Sequence, residues 1–488
     1  NAEQKNAIAK YAASLIRPDD FVYLDAGTST EAMIPFIKET QAVFVTNAIS
    51  HAKLLAEKGC RVYLLGGEFK SQTEAIVGEE AMEMLSKYNF TKGFWGTNGI
   101  SVSKGYSTPE IKEAMVKKYS MKKIGLSLFS IFLALQIVAQ EKSYFTNPVI
   151  RGDMPDPSMI RIDDTYYATG TSSEWAPFYP VFTSKDLINW KQTGHIFNEQ
   201  PSWTSNSFWA PELFYHNNKV FCYYTARQKS TGISYIGVAV ADSPLHEFKD
   251  YGPVVEYGTE AIDAFIYDDN GQLYISWKAY GLDKRPIELL GCKLSVDGLR
   301  LEGEPFSLLV DDEEIGMEGQ YHFKQGDYYY IVYSAHGCCG PSSDYDVYVA
   351  RSKSFRGPYE KYSGNPVLHG GEGDYRSCGH GTAVKTPDGR MFYMCHAYLK
   401  GEGFYAGRQP ILQEMEVTDD HWVRFKTGSV AVMKQPVPFK GTKQNPIPGF
   451  EDNFTGNKLK VDWTWNYPYS DIDAMLKSGK LLLSGTPK

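Results

Sequence analysis

Three acidic residues stand at matched points of a β-patterned chain. They are Asp156 in DPSMIRIDDTYYATG, Asp263 in DAFIYDDNGQLYISWKA and Glu318 in EGQYHFKQGDYYYIVYSA. Each opens an alternating apolar strand that runs into a polar turn and then an aromatic strand. Carboxyl groups brought together repel one another and drive their pKa values apart, so that one holds a proton while another stays ionised. Hydrolysis of a glycosidic bond asks for that pairing: a protonated carboxyl for the leaving oxygen and a carboxylate to activate water. The assignment is Asp156 as general base, Glu318 as general acid and Asp263 as the group that tunes the acid's pKa. Asp163, Asp164, Asp268 and Asp269 fall instead on hairpin tips and read as solvated turn residues. A sugar-binding module without hydrolysis is the competing reading.

The same unit returns as APELFYHNNKVFCYYTA from Ala210 and GTAVKTPDGRMFYMCHA from Gly381, making five copies at a spacing of roughly fifty to sixty residues, a blade period. Asp-Asn-Gly-Gln and Pro-Asp-Gly-Arg are strong hairpin signals. Further strands lie between the units, for example at 233–240 and 346–350. Four strands in each of five units predict a mainly β fold, a five-bladed β-propeller whose unit starts line a central channel.

The chain has 488 residues, 42% hydrophobic and 14% aromatic, enough for several cores. Its formal net charge is −8 with no basic cluster, which argues against a nucleic-acid partner. The seven cysteines are irregularly spaced and form no zinc pattern, and the adjacent Cys338 and Cys339 are expected as buried thiols. Residues 121–140 (MKKIGLSLFSIFLALQIVAQ) place two lysines before a short apolar run and a small-residue exit, as a secretory signal does. The run is short for a membrane span, so no stable span is expected. Because 120 residues precede it, the simplest account joins two unrelated reading frames near Ser120, with export to the periplasm or medium when translation starts at Met121. An internal hydrophobic linker is the other account.

Residues 1–118 alternate helical and strand-like runs: helices over 2–16 and 28–38, strands at 21–24, 42–46, 61–65 and 92–96. That order predicts a partial α/β segment with a parallel sheet. Its pieces LDAGTST, VTNAIS, LLGGEFK, TEAIVG, FWGTNGIS and GYSTPEIKEAMVKK resemble the sugar-phosphate sensor domain of DeoR-family transcription regulators. The resemblance implies effector contacts at Asp25, Gly27, Thr28, Thr30, Asn47, Asn98 and Glu110. A sugar-phosphate-responsive regulator is therefore a second alternative, although no DNA-binding helix-turn-helix precedes the segment.

From about 145 to 435 the chain resembles glycoside hydrolase family 43, through NPVIRGDMPDPS, TSKDLINW, FWAPEL, AIDAFIYDDNG, GMEGQYHF and CGHGTAV. The resemblance implies a five-bladed propeller over 141–435, hydrolysis with inversion, and the three acids carried onto Asp156, Asp263 and Glu318. Gln320 stands where the family often has Pro. No cofactor is required; a calcium in the channel, held through water by His380, is an expectation of the same resemblance. Trp175 and Trp209 offer faces for a sugar ring, Arg408 matches a family arginine near acid and substrate, and His336 is placed at the pocket edge. The substrate implied is a xylo- or arabino-oligosaccharide of the plant cell wall, with β-xylosidase or α-L-arabinofuranosidase as the activity. Residues 436–449, rich in Pro and Gly, read as a linker. Residues 450–488 are similar to the first strands of the concanavalin-like β-sandwich that follows many such domains.

Overall fold

The computed structural model describes residues 2–96, 99–101, 105–108, 110–123, 143–280, 286–446, 449–467 and 470–487. The chain divides into two compact units, residues 1–141 and 142–488. Most of the signal-like segment, 124–140, lies outside the described residues. No described helix is long and apolar enough to cross a membrane.

In the first unit, strands Phe21–Leu24, Val43–Thr46, Arg61–Leu64 and Lys92–Phe94 pair in parallel, with 21–24 between 43–46 and 92–94. Val22, Leu24 and Phe44 point to one buried face, and Tyr23, Val45 and Leu65 to the other. A sheet buried on both sides explains why these strands read as continuous apolar runs. The helix expected over 28–38 is cut to Thr28–Glu31 and a 3-10 turn at Ile34–Phe36. Pro35 inside the run supplies no backbone donor.

The second unit carries five four-stranded antiparallel sheets. Their inner strands are Ser158–Ile162, Thr204–His216, Ala261–Asp269, Glu318–Gln325 and Tyr375–Lys385, in blades one to five. Each meets the next in turn, and the first meets the fifth, closing the ring. One apolar cluster fills each gap between neighbouring blades, for example Phe178, Phe208 and Tyr224 between blades one and two. Tyr144–Thr146 pairs with Lys434–Pro436, bringing the two ends of the propeller together. Asn147 seals that joint: its Nδ2 donates to the Leu412 carbonyl and its Oδ1 accepts the Leu412 N–H.

Cys338 and Cys339 form a disulfide rather than two buried thiols. They sit on the loop after the second strand of blade four, where Cys339 is exposed and no core closes over them. The other cysteines, Cys60, Cys222, Cys292, Cys378 and Cys395, are buried and free. Beyond the linker, Trp465–Asn466 pairs with Trp175–Ala176, and Ser470–Lys477 forms a hairpin with Lys480–Pro487.

Close packing between strands one and two of blade five gives a stability prediction. A Cβ at Gly381 would stand 1.9 Å from the Met394 carbonyl oxygen. Gly381→Ala should therefore destabilise the propeller by about 1–3 kcal/mol or more, as overpacking does. A urea midpoint equal to that of the parent chain would contradict this.

Candidate active site

Every blade has a left-handed residue where its inner strand begins or bends: Asp156 (φ 54°), Ala210 (41°), Asp263 (60°), Gly319 (62°) and His380 (43°), with Ser207 (62°) a second one in blade two. In blades two to five this residue sits at a break in the ladder register, a β-bulge. Bulges re-aim side chains and cluster at active sites. Asp156, Asp263 and His380 thus occupy one repeat position, whereas Glu318 precedes the bulge by one residue. That equivalence places the imidazole between two acids: His380 Nδ1 lies 3.3 Å from Asp156 Oδ1 and 3.8 Å from Asp263 Oδ2.

A second repeat rule braces the bulges. A side chain on one blade accepts the bulge N–H of the next. Thr171 Oγ1 takes Ala210 N–H, Thr225 Oγ1 takes Asp263 N–H, Ser334 Oγ takes His380 N–H and His396 Nδ1 takes Asp156 N–H, at 2.7–3.2 Å. These residues lie in the last part of the second strand of their hairpins or, for Thr171, two residues beyond it. They are buried, so each bond satisfies a donor that water cannot reach.

The acids sit in distinct surroundings. Asp156 Oδ2 accepts from Thr171 at 2.7 Å, and Oδ1 lies 3.5 Å from Arg408 Nη1. Burial alone would raise this carboxyl, but the charges of Arg408 and His380 hold it well below the usual carboxylate range. Asp263 has the opposite fate: burial, with the charges of Glu318 and Asp156, lifts it to about 7 against the pull of His380 and Lys278. Glu318 receives Lys278 Nζ on Oε2 at 2.6 Å and the Tyr345 hydroxyl on Oε1 at 3.0 Å. Although buried, it is held below its ordinary value by the Lys278 charge and hydrogen bond. Burial pushes His380 down, yet the surrounding acids, Asp263 first, raise it to about 9. His396 is left neutral by burial, at about 4.

Of the other expected residues, Arg408 joins the acids, and Asp153 accepts the Arg408 N–H at 2.7 Å, fixing its loop. Trp175, 47% exposed, lines a cavity of about 260 Å³ with Asp153, Thr171, Pro177, His195 and Thr464. Trp209 is half-buried and pairs with Thr225, one residue before the bulge of blade two. His336 bonds Tyr348 within its own blade, Nε2 to hydroxyl 2.9 Å, and is not brought to the acids. For the expected calcium, His380 Nδ1 is engaged by carboxylates, and among the described residues no three His, Cys, Asp or Glu side chains form a direct ligand set.

Lys278, Tyr345, His396, Thr171 and Glu212 were not singled out from sequence. Glu212 is a fourth channel carboxyl, raised by burial to about 8 beside Ser158. The repeat alignment held a signal for two of them. Lys278 and His396 stand where other units end in Thr225 and Ser334.

In the first unit Asp25, Thr30 and Asn47 are buried, whereas Thr28 is exposed. Thr30 Oγ1 donates to the Asp25 and Gly27 carbonyls, Asn47 braces Ala26 and Ile76, and Asp25 pairs with Lys117. Glu110 caps the helix Ile111–Lys122, accepting from Glu113 N–H. Gly27 and Thr28 stand where that loop enters its short helix, and Asn98 lies outside the described residues.

Comparison with known proteins agrees with both units. Residues 1–127 match the DeoR C terminal sensor domain. An uncharacterized HTH-type transcriptional regulator of Bacillus subtilis is 42% identical over 123 residues, which are 25% of this chain and 49% of that protein. Residues 145–423 match the model of glycosyl hydrolases family 43. An extracellular exo-α-(1→5)-L-arabinofuranosidase of Cellvibrio japonicus is 31% identical over 309 residues, covering 55% of this chain and 84% of that one. The solved structure of a family 43 protein of the Bacteroides ovatus xyloglucan utilisation locus superposes with a TM-score of 0.57 at 25% identity, over 66% of this chain and 64% of that chain. With over half its length matched and its buried acids gathered at one end of a five-bladed propeller, the chain belongs to glycosyl hydrolases family 43 and is a glycosidase.

Proposed function

We propose that the propeller removes single pentosyl units, α-L-arabinofuranosyl or β-xylosyl, from plant-cell-wall oligosaccharides with inversion at the anomeric carbon. The observation that carries this is the convergence of Asp156, Asp263 and Glu318 around His380. Asp156, the acid held ionised, takes a proton from water as the new C–O bond forms. Glu318 donates to the departing oxygen, and Asp263 stores the proton the pair needs near neutrality. Trp175 offers a stacking face at the entrance. A calcium held through water by His380 would add positive charge to the channel. Export fits this substrate, and the Cellvibrio relative is named as extracellular. The test is a panel of aryl pentosides followed by NMR of the first-formed anomer. Release of the retained anomer would exclude this mechanism.

The surroundings of the acids also set a pH profile. Asp156 is depressed, so the base stays ionised down to below the ordinary carboxylate range. The proton that Asp263 holds is lost as pH rises through about 7. The expected kcat/KM is therefore flat on the acid side and falls above neutrality with one proton. A rise in kcat/KM through neutrality would contradict the assignment.

A further inference from the structure

Lys278 breaks the bracing rule. In four blades the side chain at this position accepts the next bulge N–H: Thr171, Thr225, Ser334 and His396. An ammonium has no acceptor to offer. The Gly319 N–H is taken instead by Asp263 Oδ2, at 3.2 Å. The structural duty of the position is thus transferred, and Lys278, 2% exposed, is turned onto Glu318. A local rule broken inside a repeat, with its loss compensated next door, marks a position kept for chemistry.

The geometry points to Lys278 as a positioning residue for the leaving-group proton: its ammonium occupies Glu318 Oε2, so that the transferable proton is carried on Oε1. This rests on the reading of Glu318 as the acid. An oxygen already bonded to a cation is the less basic of the two, so protonation falls on the other. Oε1 keeps a second lone pair for the Tyr345 hydroxyl, which fixes the direction of the O–H. In the reaction, the Oε1–H bond and the glycosidic C–O bond break as the leaving oxygen gains the proton. Water's oxygen bonds to the anomeric carbon, its proton going to Asp156. Glu318 ends ionised and Asp156 protonated, and exchange with solvent restores both.

The experiment compares phenyl and 2,4-dinitrophenyl glycosides of the sugar that the parent chain hydrolyses. Dinitrophenolate departs without a proton, whereas phenolate depends on general acid help. Lys278→Met, which keeps the volume, should lose about ten- to a hundredfold in kcat/KM on the phenyl glycoside, part of a general acid's full contribution. On the dinitrophenyl glycoside it should stay near the parent rate. Lys278→Thr restores the hydroxyl found in other blades and should show the same pattern, giving a second readout if the Met variant does not fold. Equal losses on both substrates, or none on the phenyl glycoside, overturn the role of Lys278 alone. A parent chain inert on both glycosides overturns the functional reading as well.

Discussion

Asp156→Asn is expected to lower kcat/KM by about a hundred- to ten-thousandfold, the span over which general base catalysis is measured. The substitution suits the question because it changes one thing. Asp156 has φ 54°, a left-handed conformation that Asn tolerates better than other residues with a Cβ. An alanine here would add backbone strain to the loss of the carboxylate. The amide keeps the size of the side chain, and its oxygen can still accept from Thr171, as Oδ2 does at 2.7 Å. The backbone N–H to His396 is untouched. What disappears is the negative charge beside Arg408 and His380, and with it the group that takes water's proton. Circular dichroism should change little and the thermal midpoint should fall, since Arg408 and His380 lose a buried counter-charge, while turnover collapses on phenyl and dinitrophenyl glycosides alike, because water must be activated whatever leaves. Near-parent activity on either substrate would remove Asp156 from the role of base.

How much of this was legible in the sequence divides along strand position. The inner strands repeat in full, with period-two patterning and turn residues at fixed offsets, so the blades and the approximate places of Asp156, Asp263 and Glu318 could be read directly. Asp156 and Asp263 match as unit starts, but the one-residue offsets that put His380 and Gly319 at the same position could not be read, because they depend on a left-handed residue at a bulge, and non-glycine residues carry no clear mark of that conformation. Lys278 and His396 were hidden for another reason: their strand positions look like core, flanked by Trp277 and Ala279 or by Cys395 and Ala397, all fully buried. Tyr345 comes from a loop outside the repeated hairpin, and only folding shows that its hydroxyl reaches Glu318. In the first unit, a parallel sheet was readable from alternation, but small polar loop residues serve equally as ligand contacts and internal braces. Thr30 hydrogen-bonds within its own loop, to Asp25 and Gly27, and Asn47 bonds Ala26 and Ile76.

Glu318→Gln is expected to separate substrates that Asp156→Asn does not. The amide cannot donate an acidic proton, so phenyl and oligosaccharide substrates should lose about a hundred- to ten-thousandfold, while the dinitrophenyl glycoside, needing little protonation, should keep most of its rate. The surroundings permit a folded variant: the Gln carbonyl oxygen can take over the bond from Lys278 or from Tyr345, though not both with equal geometry. Lys278 then loses its charged partner in a buried place, which should cost stability, since removing one partner of a buried ion pair leaves the other uncompensated. A lower thermal midpoint together with the leaving-group split would fit both roles of Glu318, acid and counter-ion. The alternative is that Asp263, the carboxyl that burial holds near 7, donates directly. In that case Glu318→Gln would slow all leaving groups about equally, by disturbing a neighbour, and the steep dependence on the leaving group would appear in Asp263→Asn instead. The left-handed backbone at Asp263 (φ 60°) accommodates that substitution also, so the two variants can be compared with the backbone intact in each.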